Sequence, residues 1–238
     1  MGGYRAVLRP GDILSHAEMC RIEATSSLQR GMNYRMRSTH SVVLMNRRPG
    51  APYANGMDDE GRTLVYEGHD VPKTSKTPLP KTVDQPTATP KGRPTQNGLF
   101  LAAARRYREG LAQPEKVRVY EKIKVGIWVY NGVFNLVDAW SQSSGDRQVF
   151  KFRLELSDEE AGEDVPGTAD LPHTRMIPTN VKLAVWKRDG GKCVVCGSRD
   201  NLHFDHDIPF SKGGSSLVVA NVQLMCARHN LEKHDHIV

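Results

Sequence analysis

Long apolar runs are missing from this 238-residue chain. No stretch approaches the roughly 18 consecutive apolar residues of a membrane-crossing helix. The opening MGGYRAVLRPGDILSH also lacks the apolar core of a secretory leader, so membrane insertion and export are disfavoured and a cytoplasmic location is expected. Cysteine is scarce: Cys20 stands alone, and Cys193, Cys196 and Cys226 fall near the C-terminal end. So few, so unevenly placed, exclude a disulfide framework and point instead to a metal site or redox motif. Internal repeats are absent, which excludes a solenoid.

Charge, by contrast, is plentiful. Thirty-three Lys and Arg against 27 Asp and Glu leave a net charge of +6, which suits a polyanionic partner and equally suits a basic surface that only aids solubility. An apolar content of 38% excludes a chain disordered throughout.

The first organised block runs over residues 1–156. SVVLM (41–45) and RTLVY (62–66) read as short buried strands, and NGLFLAAARRYREGL (97–111) as a helix stopped near Gly110. Residues 71–94, rich in Pro, Thr and Lys and without periodicity, predict a long, mobile, basic loop. In VRVYEKIKVGIWVY, the residues Val117, Val119, Ile123, Val125, Ile127 and Val129 share one parity, the pattern of a strand with one buried face. A tight turn at YNG (130–132) and a further strand, VFNLVDAW (133–140), follow. QVFKFRLEL repeats the alternation at Phe150, Phe152, Leu154 and Leu156, with Lys151, Arg153 and Glu155 facing away. The expected fold is α+β: a curved antiparallel sheet or barrel flanked by one or two helices. Residues 157–178, acidic and without apolar period, read as a linker. A smaller unit, residues 179–238, then opens with TNVKLAVWKRDGG, a short helix with Thr179 or Asn180 as N-cap.

Within that unit, Cys193-x-x-Cys196 and Cys226-x-x-His229 are two short-range pairs with the spacing of a tetrahedral zinc site. A metal staple has a physical purpose in a unit of about 60 residues, whose own core is small. Between the pairs lies LHFDHDIPFSKGG (202–214). With the later NVQLMC and CARHNLEK, the segment 179–236 resembles the HNH (ββα-metal) nuclease family. The resemblance implies Asp205 and His206 on a first strand, Gly213 and Gly214 in a turn, Asn221 opening a helix and bracing the loop that carries His206, and Asn230 after the last zinc ligand. It further implies a catalytic site in which His206 is the general base. Asp205 and Asn230 would hold a divalent cation, Mg2+ or Mn2+ with Co2+ or Ni2+ as alternatives. The residue types suit the chemistry: imidazole alone titrates near neutrality, and oxygen ligands suit a hard cation. Asn230 stands where the family often has histidine, which makes the cation site more oxygen-rich. His203 shares the parity of Asp205 and reads as a supporting or packing residue.

In the first block, PYANGMDDEGRTLVYEGHD (52–70), TQNGLFLAA (95–103) and VYNGVFNLVDAW (129–140) resemble the SRA (YDG) domain family. That family flips a 5-modified cytosine out of the duplex. The resemblance implies a base pocket with Tyr53 and Tyr66 sandwiching the ring and Asp58 or Asp59 accepting from the cytosine amino group, as stacking and hydrogen bonding of an extruded base require. The basic loop and AARRYR (103–108) would grip phosphates, or be a solvated insertion and helix face.

Together these readings imply a modification-dependent endonuclease that acts on double-stranded DNA containing 5-methylcytosine or 5-hydroxymethylcytosine. A non-cutting reader of modified DNA and an HNH nuclease recognising another DNA feature are the alternatives. One HNH site cuts one strand, so a homodimer is expected for a double-strand break.

Overall fold

The computed structural model describes residues 8–36, 40–58, 61–75, 77–157, 176–208 and 214–233. Its fold is α+β and, among the described residues, has an eight-stranded sheet, a separate two-stranded sheet and four α-helices. The strands of the large sheet are β1 (Ile13–Ser15), β2 (Met32–Asn33), β3 (Ser41–Met45), β4 (Gly56–Met57), β5 (Thr63–Glu67), β6 (Glu115–Lys124), β7 (Ile127–Ser144) and β8 (Arg147–Leu156). They run in the order β2-β3-β6-β7-β8-β5-β4, with β1 added along β7. All neighbours are antiparallel except β3 and β6, which are parallel. Helix α1 (His16–Ile22) begins in a capping box formed by Ser15 and Glu18. Helix α2 (Gln96–Arg108) is capped by Thr95, whose hydroxyl accepts from Gly98 N, and ends in a basic last turn that suits the helix dipole. Its Phe100 and Ala104 pack on the sheet with Val117, Val119, Phe134, Phe152 and Leu154.

Several local expectations give way. The run 117–129 is not one strand: β6 and β7 form a hairpin whose turn holds Val125, 78% exposed, and Gly126 at φ +76°. Residues 130–132 make no turn, because β7 continues through them to Ser144. Lys151 does not face solvent. At that end of β8 both faces are covered, and its ammonium donates to Glu67 Oε2 at 2.8 Å and to Ala54 O at 2.9 Å. Residues 71–94 are tied down where they are described: buried Gln85 donates to Gly68 O and accepts from Phe150 N, and Arg147 donates to Asp70 Oδ1 at 2.6 Å and to the Pro80 and Val83 carbonyls. Gly98 lets this segment approach α2, since a Cβ there would stand 2.1 Å from Thr87 O. The acidic stretch 158–175 lies outside the described residues.

The C-terminal part comprises α3 (Thr179–Arg188), β9 (Leu202–His206), β10 (Val222–Cys226) and α4 (Ala227–Lys233), with β9 and β10 antiparallel. The N-cap of α3 is Pro178, not Thr179 or Asn180; Thr179 is instead drawn inward and donates to Glu121 Oε1. Asn221 ends a 3-10 turn ahead of β10 and opens no helix. This part shares a core with the large sheet: Ile13, Ile123 and Val129 pack against Ile177, Val181, Val185, Leu202 and Phe204. Across the same boundary Phe204 N donates to Gly11 O, and His203 Nδ1 lies 3.0 Å from Asp12 Oδ1. At its centre the Lys182 ammonium, 1% exposed, donates to Glu121 Oε2 and to Asn131 Oδ1, each at 2.6 Å. Burial pushes the Glu121 carboxyl up, but Lys182, Thr179 and Asn131 outweigh it and hold the carboxyl below its usual range.

Removing one member of such a pair leaves an uncompensated buried charge, at a cost of about 3–5 kcal/mol. Lys182→Met should therefore lower the unfolding free energy by that order in urea titration. The double variant Lys182→Met, Glu121→Leu should recover most of the loss.

Candidate active site and metal centre

Two sites are built on the C-terminal part. The first brings together Cys193 and Cys196 from the knuckle after α3, Cys226 from the end of β10, and His229 from the first turn of α4. Their ligand atoms all lie within 4.8 Å of one another. His229 Nδ1 is 3.4 Å from both Cys193 Sγ and Cys226 Sγ, and Cys196 Sγ is 3.9 Å from Cys226 Sγ. The edges of a tetrahedron built on zinc–ligand distances of 2.0–2.3 Å are about 3.5–3.8 Å, so the donor set and its size suit zinc. Burial pushes the Cys193 thiol up, but the backbone N–H groups of Cys196 and Cys226 and the His229 ring draw it down to about 6, toward the thiolate that binds metal.

The second site lies at the end of β9. Asp205 and His206 are adjacent there, and Asn221 braces the chain that follows. Ile208 N donates to Asn221 Oδ1 at 2.7 Å, and Asn221 Nδ2 donates to the Ile208 and Ser215 carbonyls at 3.1 and 3.2 Å. Gly214 makes this closure possible, because any Cβ there would stand 1.8 Å from Ile208 O. Gly213 lies outside the described residues. His206 Nε2 lies 2.9 Å from the Oγ of buried Ser216. Burial, with His203 and Lys233 nearby, lowers the His206 pKa against the opposing pull of Asp205.

Two residues here are not singled out by the sequence motifs. Ser216 is a small polar residue inside a serine pair. Lys233, the last residue of α4, places its buried ammonium 2.6 Å from Asp205 Oδ2 and also donates to the His206 carbonyl. Asn230 lies three residues earlier on the same helix, one turn away. A cationic group therefore already stands at the Asp205 carboxylate. Asp205 and Asn230 fit a hard divalent cation by donor type.

Of the residues expected to form a base pocket, Tyr53 and Tyr66 stay near one another, but Asp58 does not join them. Tyr66 is 4% exposed, its ring packed in the main core and its hydroxyl donating to Leu44 O at 3.3 Å. It offers no open stacking face, because its position on β5 falls on the side that meets the core. Tyr53 is half-buried, with the Lys81 ammonium 4.1 Å from its ring centroid. The carboxylates that act on Tyr53 are Asp70 and Glu67, both held by Arg147. Asp58 lies elsewhere, on the wall of a cavity beside α3, and Asp59 is outside the described residues.

A half-buried imidazole, a carboxylate beside it and a Cys3His cluster thus stand together in the C-terminal part. Residues 193–236 match the family model described as HNH endonuclease. Among curated proteins none matches the chain. Among solved structures the chain is similar to the SRA domain of SUVH5 bound to hemi-methylated CG DNA, at 20% identity over 72% of this chain and 98% of that one, TM-score 0.44. It is also similar to the DNA modification-dependent restriction endonuclease AspBHI, at 14% identity over 66% of this chain and 78% of that one, TM-score 0.45. No helix among the described residues is long and apolar enough to cross a membrane.

Metal binding supplies folding free energy in small Cys/His sites. Cys193→Ser should lose the bound metal, measured by elemental analysis, and amide exchange should show residues 191–233 opening. Protection in β6–β8 should persist.

Proposed function

We propose that this chain is a modification-dependent DNA endonuclease, similar in role to type IV restriction enzymes. In this reading it detects a flipped 5-methylcytosine or 5-hydroxymethylcytosine and hydrolyses a phosphodiester bond with its HNH domain. The observation that carries the reading is the grouping of Asp205, His206, Asn221 and Ser216 in one braced turn beside α4, within the segment that matches HNH endonucleases.

The residues divide the work as follows. Ser216 engages His206 Nε2, which leaves Nδ1 to take a proton from water. The water oxygen bonds to phosphorus as the P–O3′ bond breaks, and the departing O3′ takes a proton from solvent, giving a 5′-phosphate and a 3′-hydroxyl. Asp205 and Asn230 would hold Mg2+ or Mn2+, or Co2+ or Ni2+ in their place, which supplies charge stabilisation when bound. Asn221 keeps the turn in register. The Cys193, Cys196, Cys226 and His229 centre is assigned a structural zinc ion. Modified-base reading is assigned to the N-terminal sheet. Tyr53 supplies the stacking face once Lys81 moves aside, and Glu67 and Asp70, in place of Asp58, are the nearby described carboxylates. A homodimer would cut both strands.

One observation favours the second reading, a reader of modified DNA that does not cut: Lys233 already pairs with Asp205. Cleavage assays separate the two. Wild type should cut modified duplex in Mg2+ or Mn2+, and His206→Ala should lose at least about a hundredfold in rate while keeping its metal content, melting temperature and DNA affinity. Equal rates for the two proteins would remove His206 from the chemistry, and no cutting by wild type would leave the reader.

A further inference from the structure

A cavity of about 650 Å³ opens between the two parts of the molecule. One wall comes from the N-terminal part, with Arg47, Pro49 and Asp58; the other comes from Asn180 and Leu183 of α3 and from Leu217. Its size falls within the range of ligand clefts, about 300–1,000 Å³. The walls cannot drift apart freely, because the Lys182–Glu121 pair and the shared core clamp α3 to the sheet beside it.

The lining is chemically specific. Arg47 is half-buried, and its side chain has no hydrogen-bond or ion-pair partner among the described residues, whereas Arg35, Arg108, Arg118, Arg147 and Arg188 each hold a carboxylate. Its charge is also felt by the buried Lys182, which places a second cation at the junction without an anion of its own. A guanidinium in that setting suits a phosphate, which it meets with two parallel donors. Asp58 uses Oδ1 to accept from Arg62 N at 2.9 Å, and its other oxygen remains an acceptor for the exocyclic amino group of a base. Pro49, Leu183 and Leu217 give apolar surface for a ring. Leu217 directly follows Ser216, whose hydroxyl holds His206.

We propose that this junction cavity binds one nucleotide unit of the DNA strand, its phosphate on Arg47 and its base against Asp58 and Leu217, and so leads the strand to His206. The proposal rests on the reading of the chain as a DNA endonuclease and adds a site that neither the HNH motif nor the surroundings of Tyr53 contain.

The test uses the full chain in the His206→Ala background and a fluorescent duplex carrying one 5-methylcytosine, with affinity measured across a salt series. Arg47→Ala should weaken binding about tenfold, and the slope of log K against log salt should fall by about 1, the signature of one lost phosphate contact. Lys124→Ala, which removes an exposed charge at the β6–β7 turn, is the control and should change neither. In the otherwise wild-type chain, Leu217→Trp should fill the cavity and slow cleavage at least tenfold with melting temperature and metal content unchanged. Overturning results are an Arg47→Ala slope and affinity equal to those of Lys124→Ala, or full activity in Leu217→Trp. If the parent protein binds no DNA at any salt, the nuclease reading itself fails and the cavity assignment falls with it; binding by the parent with no response at Arg47 sinks the cavity alone.

Discussion

Taking a lysine and a glutamate out of water costs several kcal/mol per ion, and only good geometry and further hydrogen bonds offset that cost. Lys182 and Glu121 meet the condition: Asn131 and Thr179 add hydrogen bonds to the pair, and both side chains are 1% exposed. The pair joins α3 to β6 inside a core contributed by both halves of the chain. Such a contact adds direction to the apolar packing, because an ammonium and a carboxylate that slip past one another each become an unpaired buried charge. The orientation of the C-terminal part on the sheet follows from it. His203 on Asp12 and the Phe204–Gly11 backbone bond then fix β9, the strand that ends in Asp205 and His206.

Around those two residues the chain is held by polar contacts on every side. Asn221 closes the turn, Gly214 admits its backbone, Ser216 fixes the imidazole, and Lys233 spans Asp205 and the His206 carbonyl. Preorganisation of this kind lets a side chain act on a substrate without first reorganising. Lys233 also links the two centres. It ends the short helix that begins beside Cys226 and carries His229, so the metal cluster and the Asp205 carboxylate are connected through less than two helical turns.

The parts of this architecture that were legible in the sequence are those where side-chain chemistry and spacing coincide. Two Cys/His pairs at metal spacing converge within 4.8 Å, and period-2 alternation marks β6, β7 and β8. What was not legible depends on contacts between distant segments. Lys151 read as solvent-facing, yet it is buried, as are Glu121, Lys182 and Lys233, against partners far away in sequence. Glu121 left a trace: it shares the parity of Val117, Val119 and Ile123, so a strand with one buried face already placed it inside. Tyr66 left a similar trace in sharing the parity of buried Leu64. The parallel pairing of β3 with β6 and the hairpin at Val125 depend on topology and on one glycine. Residues 71–94 lack periodicity because their order comes from Gln85, Arg147 and Gly98, each bonded across the fold, and not from local propensity.

The measurement that bears most directly on the central claim is the cleavage rate on three duplexes of one sequence, unmodified, 5-methylated and 5-hydroxymethylated at cytosine, at fixed salt with Mg2+ or Mn2+. The account predicts that at least one modified duplex is cut about fourfold or more faster than the unmodified one, since stacking and the carboxylate contact serve cytosine and its modified forms alike and the discrimination comes from burying the 5-substituent, worth about 0.8 kcal/mol per carbon. Equal rates on all three would contradict modification-dependent recognition, and no cutting of any would contradict the nuclease.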